Sequence, residues 1–287
     1  MSAQRRRRAA KLFKFDRMLG ARFVAGADEA GRGSLAGPLA AAAVLIDYRR
    51  LSNSDRRALG GLHDSKQMNA EDRERLYPCV LRAATRVSVV FRCVRGIDAR
   101  GLHNTNIEAL SSSLEKLDPS GAICLVDGFR LPPCKLDHRA VVDGDATSAA
   151  IAAASVIAKV SRDRYMHGAG ADYPGWGFDE NVGYSTPEHR AAIAENGISD
   201  LHRRSFASVA YRQLALDGDL PPVLEGVANV LDVEEVAAAI EEDADGVEAD
   251  QPVGRDPGSA GEPGSGEGAE TPLLGGADGD DLARRAA

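Results

Sequence analysis

Short apolar runs, each closed by glycine or by charged residues, set the rhythm of the chain between residues 22 and 142. Residues 22–27 and 39–46 are two such runs, the second following a Gly37–Pro38 turn, and each predicts a buried strand. Over 87–94, Val87, Val89 and Phe91 alternate with Ser88, Val90 and Arg92, the period of two expected of a strand. Residues 122–126 form a further short strand that runs into Asp127–Gly128, and 136–142 are another candidate. Helical spacing appears over 104–117, where Ile107, Leu110, Leu114 and Leu117 share one face. Asn69 suits an N-cap for a helix to residue 81, with Asp72 near its positive end. An alanine-rich stretch predicts a long helix over 147–166, and Thr186–Pro187–Glu188 opens another that reaches about residue 195. Residues 50–66 read as a polar loop, and 1–20 as a basic arm or a short helix. The alternation of strands and helices predicts an α/β fold, a sheet with helices on its faces.

After Leu216 the character changes. Residues 223–240 are a candidate amphipathic helix, and from 241 onward glycine, proline, serine and acid leave too little apolar surface to fold alone. Three regions follow: an arm over 1–20, a folded body over 21–216 and a largely disordered acidic tail over 217–287. The formal net charge of −8 conceals the same division. The tail holds 19 acidic and 3 basic residues, the rest of the chain 24 acidic and 32 basic. A net positive body suits a partner rich in phosphate, although a solvated surface of mixed charge gives the same count.

Cys79, Cys93, Cys124 and Cys134 include no C-x-x-C pair, and the first three sit in apolar runs that suit small core residues. Neither a disulfide framework nor a zinc site is expected. No apolar run reaches the length of a membrane span, and Arg5 to Arg8 are followed by mixed charge rather than a signal peptide's apolar segment. A cytoplasmic, monomeric protein is the expectation.

The carboxylates carry the chemical information. Asp28 and Glu29 close the first predicted strand beside Gly31 and Gly33, Asp127 closes another beside Gly128, and Asp145 follows Gly144 before the alanine-rich helix. Acids at strand exits, next to glycines that permit close approach, suit Mg²⁺, which takes a few carboxylates and keeps water or phosphate oxygens for the rest. Each position also has a plain alternative. Asp127–Gly128 reads as a turn, Asp28–Glu29 as a solvent-facing pair, and Asp145 as a helix-terminal acid.

Taken together, these segments resemble ribonuclease HII. The run Ala27-Asp28-Glu29-Ala30-Gly31-Arg32-Gly33-Ser34-Leu35-Ala36-Gly37-Pro38 is similar to the segment that opens that family. So are Asp64-Ser65-Lys66 with Arg73-Glu74-Arg75-Leu76, and Val126-Asp127-Gly128. Further on, Gly144-Asp145 with the helix from Ile151 to Val160, Gly183-Tyr184 with Thr186 and His189, and His202-Arg203 with Ser205-Phe206 follow in the family's order. The likeness runs from Phe23 to Phe206.

That resemblance implies a ribonuclease H-like mixed sheet flanked by helices, with a helical C-terminal part before the acidic tail, and makes 21–216 the catalytic domain. It implies that Asp28, Glu29, Asp127 and Asp145 hold two divalent ions, Mg²⁺ or Mn²⁺. The substrate would be an RNA–DNA hybrid or duplex DNA with embedded ribonucleotides, cut 5′ to the ribonucleotide to leave a 3′-hydroxyl and a 5′-phosphate. Water would be the nucleophile, with no Ser, Cys or His required. Gly31, Arg32 and Gly33 would read the 2′-hydroxyl that separates RNA from DNA. Tyr184 would lie at the RNA–DNA junction, where the alternative is a buried tyrosine, and Ser65 and Lys66 would lie near a backbone phosphate. The long helix is expected mainly to pack, with Lys159 and Arg162 towards its polar side. The sister type, ribonuclease HIII, normally carries a further N-terminal domain and is the poorer match. Two positions depart from the family's habit: Asp143 is acidic, and Asn181–Val182 stands where a lysine is common. They bear on substrate affinity, and a hybrid-binding protein without turnover is the competing class. The tail is expected either to mimic DNA and compete with substrate, or to solubilise.

Overall fold

The computed structural model describes residues 3–63, 68–132 and 134–206. The candidate helix over 223–240, the boundary after 216 and the acidic tail lie outside the described residues, as do Ser65 and Lys66. In chain order the elements are α1 (Ala3–Met18), β1 (Phe23–Ala30), β2 (Leu39–Asp47), α2 (Asn53–Ala58), α3 (Ala70–Ala83) and β3 (Arg86–Arg92). Then come α4 (Val94–Arg100), α5 (Leu102–Leu117), β4 (Ala122–Asp127), β5 (His138–Val141), α6 (Gly144–Thr147), α7 (Ala149–Asp172), α8 (Phe178–Asn181) and α9 (Pro187–Asn196).

The five strands form one mixed sheet in the order β3-β2-β1-β4-β5. β1 pairs antiparallel with β2 and parallel with β4, so the central strand joins a meander to a crossover unit. Both faces are covered. Val24, Val44, Ile46 and Leu125 pack beneath α7, while Ala25, Ala27, Ala41, Ala43 and Val126 pack against Leu110 and Leu114 of α5. This explains β2, whose sequence LAAAAVLID is buried at every position despite alanine's modest strand preference. Small side chains let helices on both sides lie close to the sheet. Gly26 carries this furthest: a Cβ there would stand 2.2 Å from the Ala150 carbonyl carbon and 2.3 Å from the Ile151 nitrogen.

Several expectations need correction. The stretch over 50–66 is not all loop, because Ser52 and Asp55 form a reciprocal capping box that starts α2. The third strand stops at Arg92, and Val94 instead begins α4. Of the two readings of residues 1–20, the helix is the one found: α1 buries Leu12 and Phe13. Its Asp16 accepts from the Ala150 backbone N–H at 3.0 Å and from the Tyr48 hydroxyl at 2.6 Å, tying α1 to the start of α7. Ser148 caps α7, which runs to Asp172, and the preceding residues form the separate turn α6. All four cysteines are free. Cys124 is buried, and burial pushes its thiol up to about 11, whereas Cys93 is exposed rather than in the core.

Candidate active site

β1 and β4 run parallel with Ala27 opposite Val126, so the next residues, Asp28 and Asp127, stand side by side where the strands end. Strand alternation puts both on the α7 side of the sheet, following Val24 and Leu125. β1 does not stop before its acids, as the sequence pattern suggested. It continues through Asp28 and Glu29 to Ala30, because β2 supplies partners as far as Ala40. Asp28 is 4% exposed and accepts from the Glu29 backbone N–H at 2.7 Å. The Gly144 N–H donates to Asp127 Oδ1 at 2.6 Å, which brings α6 and its buried Asp145 to the same strand ends. A Cβ at Gly144 would lie 2.6 Å from Ile151 Cδ1 and 2.9 Å from Asp127 Oδ1, so a larger residue here would have to push the carboxylate aside.

Electrostatics ties the four together. Burial raises Asp28 above the usual carboxylate range, with Lys159 and a hydrogen bond from Ser155 opposing and Asp145 adding to the rise. Burial also pushes Glu29 up to about 8, helped by the charges of Asp28 and Asp127 and opposed by Arg32 and Lys159. Glu29 Oε2 is buried and has no hydrogen-bond partner. Among the described residues, no three His, Cys, Asp or Glu side chains close on a single point as a ready-made cage. The cluster fits a hard cation that keeps part of its water shell, because such an ion needs only one or two carboxylates at a time. It would also relieve the repulsion that raises Glu29.

The neighbouring loops are held by two arginines, Arg162 and Arg203, whose inward placement the sequence did not show. Gly31 has φ +85°, and a Cβ on it would meet Arg162 Nε at 1.9 Å, so the chain's own arginine excludes a side chain there. Gly33 is exposed with nothing nearby, and Arg32 stands between them with its guanidinium 5.8 Å from the Phe129 ring. Arg162 and Arg203 are both fully buried. Arg203 donates to the Gly37 carbonyl at 2.9 and 3.0 Å and to the Arg32 carbonyl at 3.0 Å. Tyr184 is 38% exposed, not buried, and its ring lies 5.3 Å from the Arg162 guanidinium.

A buried histidine pair holds Tyr184 from behind. His202 Nδ1 accepts from the Ser199 N–H at 2.9 Å, which leaves its proton on Nε2 facing His189 Nε2 at 3.2 Å. His189 then carries its own proton on Nδ1 and donates to the Tyr184 carbonyl at 2.9 Å. Burial keeps both rings neutral, with His202 pushed down to about 3.

Of the two departures, Asp143 is exposed and left-handed (φ 49°), so it faces solvent beside the cluster. Val182 is also left-handed (φ 43°), a strained state for a β-branched residue, and its carbonyl accepts from Arg162 at 2.9 Å. Lys159 and Ser155 were read as packing or polar-side residues of the long helix, yet they face Asp28. Their signal was available: Ser155, Lys159 and Arg162 interrupt an apolar run at spacings of four and three, one face of a helix.

With this geometry in view, comparison with known proteins is informative. A sequence model of the family described as Ribonuclease HII matches residues 25–209. A protein named Ribonuclease HII from Mycolicibacterium vanbaalenii is 46% identical over 196 residues, covering 68% of this chain and 76% of the relative. One of the same name from Mycobacterium tuberculosis is 43% identical over 203 residues, covering 71% and 74%. Among solved structures, ribonuclease H2 from Pyrococcus horikoshii superposes with TM-score 0.57 at 26% identity, over 68% of this chain and 98% of that one. Archaeoglobus fulgidus RNase HII, solved in complex with PCNA, gives 0.54 at 28%, over 64% and 95%.

Proposed function

Because the chain belongs to the ribonuclease HII family of metal-dependent endoribonucleases, we propose that it cuts the RNA strand of RNA–DNA hybrids and nicks duplex DNA 5′ to an embedded ribonucleotide. The observation that supports this reading most is the meeting of Asp28, Glu29, Asp127 and Asp145, distant in sequence, at one end of the sheet.

Asp28, Asp127 and Asp145 would hold two divalent ions, Mg²⁺ or Mn²⁺, with Glu29 completing the set. When bound, such ions activate water and neutralise charge on the leaving oxygen, so hydrolysis leaves a 3′-hydroxyl and a 5′-phosphate. The chain's own groups do the rest. Lys159, which lowers the proton affinity of both Asp28 and Glu29, keeps the cluster from closing entirely with protons. Buried Asp28, fixed by the Glu29 N–H, and Asp127, fixed by the Gly144 N–H, have oxygens aimed before any ion arrives. The loop at Gly31, Arg32 and Gly33 reads the 2′-hydroxyl, and the exposed Tyr184 ring meets the RNA–DNA junction. Such an activity belongs to the removal of ribonucleotides from replicated DNA.

The test is direct. Purified protein with Mg²⁺ or Mn²⁺ is incubated with a duplex containing one ribonucleotide, and the products are resolved on a denaturing gel. A single nick on the 5′ side is expected, with a 3′ end that a DNA polymerase extends. Binding to the hybrid without cleavage in either metal would overturn the reading in favour of a hybrid-binding protein that has lost turnover.

A further inference from the structure

We propose that Arg162 is the positioning residue behind ribonucleotide selectivity, locking the loop over residues 31–38 and the loop over 182–184 into one unit. The inference rests on the function proposed above and adds to it which side chain sets the specificity. Arg162 projects from α7 and is fully buried. Its Nε donates to the Pro38 carbonyl at 2.9 Å, and Nη1 to the Val182 carbonyl at 2.9 Å. Nη2 donates to the Ala36 carbonyl at 2.9 Å and to Ser34 Oγ at 2.7 Å. Ser34 passes the link onward, its hydroxyl donating to the Gly31 carbonyl at 3.0 Å. Gly31 lies against the guanidinium so closely that no side chain fits, and the Tyr184 ring lies 5.3 Å from it. One cation therefore touches both parts of the surface that would read the ribonucleotide.

Burying a guanidinium is expensive, and a core of this kind would be easier to build from apolar residues. What arginine adds is a planar fork that fixes several acceptors at set angles, which a lysine ammonium on a flexible stem does not reproduce. The helix that carries it also carries Lys159 and Ser155, which face Asp28. α7 thus fixes the distance between the ion-holding acids and the reading loops. The strained Val182 belongs to the same device, since its carbonyl is turned inward to meet Arg162.

The experiment compares Arg162→Lys and Ser34→Ala with the unaltered protein on two substrates, a duplex with one ribonucleotide and a uniform RNA–DNA hybrid, in Mg²⁺. The uniform hybrid has no RNA–DNA junction for Tyr184, so it depends less on the two loops being locked together. Arg162→Lys should lose activity on both, but about tenfold more on the single ribonucleotide, chiefly through KM, a size usual for groups that support a site from behind. Ser34→Ala, a small change expected to fold, should shift the same ratio in the same direction by less. Variants that cut both substrates in the unaltered ratio, however much slower or less stable, would overturn the inference alone. An unaltered protein that cuts neither substrate would overturn the proposed function and this inference with it.

Discussion

Asp28→Asn is expected to lower nicking by more than about a hundredfold while leaving the fold intact. Groups that only support metal ligands already cost 10- to 100-fold when removed, so about a hundredfold is the floor for a group that holds the ion itself. The amide has the carboxylate's shape and still accepts from the Glu29 N–H, so the local hydrogen bond survives. The change also removes a buried acid whose ionised form repels Glu29 and Asp145. Ion-free Asp28→Asn should therefore melt no lower than the unaltered protein, a combination that separates a chemical role from a structural one. Asp127→Asn should behave alike, since its Oδ1 remains to accept from Gly144. Asp143→Asn, exposed two residues before Asp145, should nick near the unaltered rate. Rates on a denaturing gel and melting followed by circular dichroism decide the matter. Retained cutting in Asp28→Asn would remove the role assigned to it.

Gly26→Ala should be among the most damaging methyl additions at the described glycines. Its Cβ would meet the backbone of Ala150 at 2.2 and 2.6 Å and of Ile151 at 2.3 Å, and backbone atoms cannot rotate aside. β1 and α7 must separate, where each otherwise buries its apolar face against the other. Overfilling a core costs about 1–3 kcal/mol, and the backbone clash puts this case at the upper end or beyond. At about 2–4 °C per kcal/mol, the melting temperature should fall by about 10 °C. Because α7 carries Ser155 and Lys159 while β1 carries Asp28, the surviving folded protein should also bind Mg²⁺ more weakly. A melting temperature within about 2 °C of the unaltered protein would show that the sheet and helix have slack there.

The elements legible in the sequence were those whose burial is one-sided or complete along a regular period. β2 and β4 read as apolar runs, α5 as a stripe of Ile107, Leu110, Leu114 and Leu117, and α9 by Thr186 and Pro187. β1 was read too short because two adjacent acids look like the end of a buried strand, and only tertiary pairing with β2 carries the strand through them. The four carboxylates were legible only jointly, since each alone passes for a turn or a helix end. Arg162, expected on the polar side of the long helix, is instead fully buried, and the burial of Arg203 was not legible either, because arginine is ordinarily a surface residue. Only the spacing of Arg162 from Ser155 and Lys159 marked a shared face. The capping box at Ser52 and Asp55 is present in the sequence but masked by the polar composition around it.

Mg²⁺-dependent melting as a function of pH tests the meeting of the four acids most directly. Glu29 binds its proton up to about pH 8 in the folded chain, against an ordinary value of 4.5. Between these values the folded state holds a proton that the unfolded state has lost, so stability from this group falls as pH rises through that window. A cation entering near pH 8 meets a carboxylate that has lost its proton in about half the molecules, and relieves the repulsion. At pH 5.5 it must first displace that proton. The expected result is a rise in melting temperature on adding Mg²⁺ that is larger at pH 8 than at pH 5.5 and shrinks in Asp28→Asn. An equal rise at both pH values, or a full rise retained in Asp28→Asn, would contradict a shared ion site on these carboxylates.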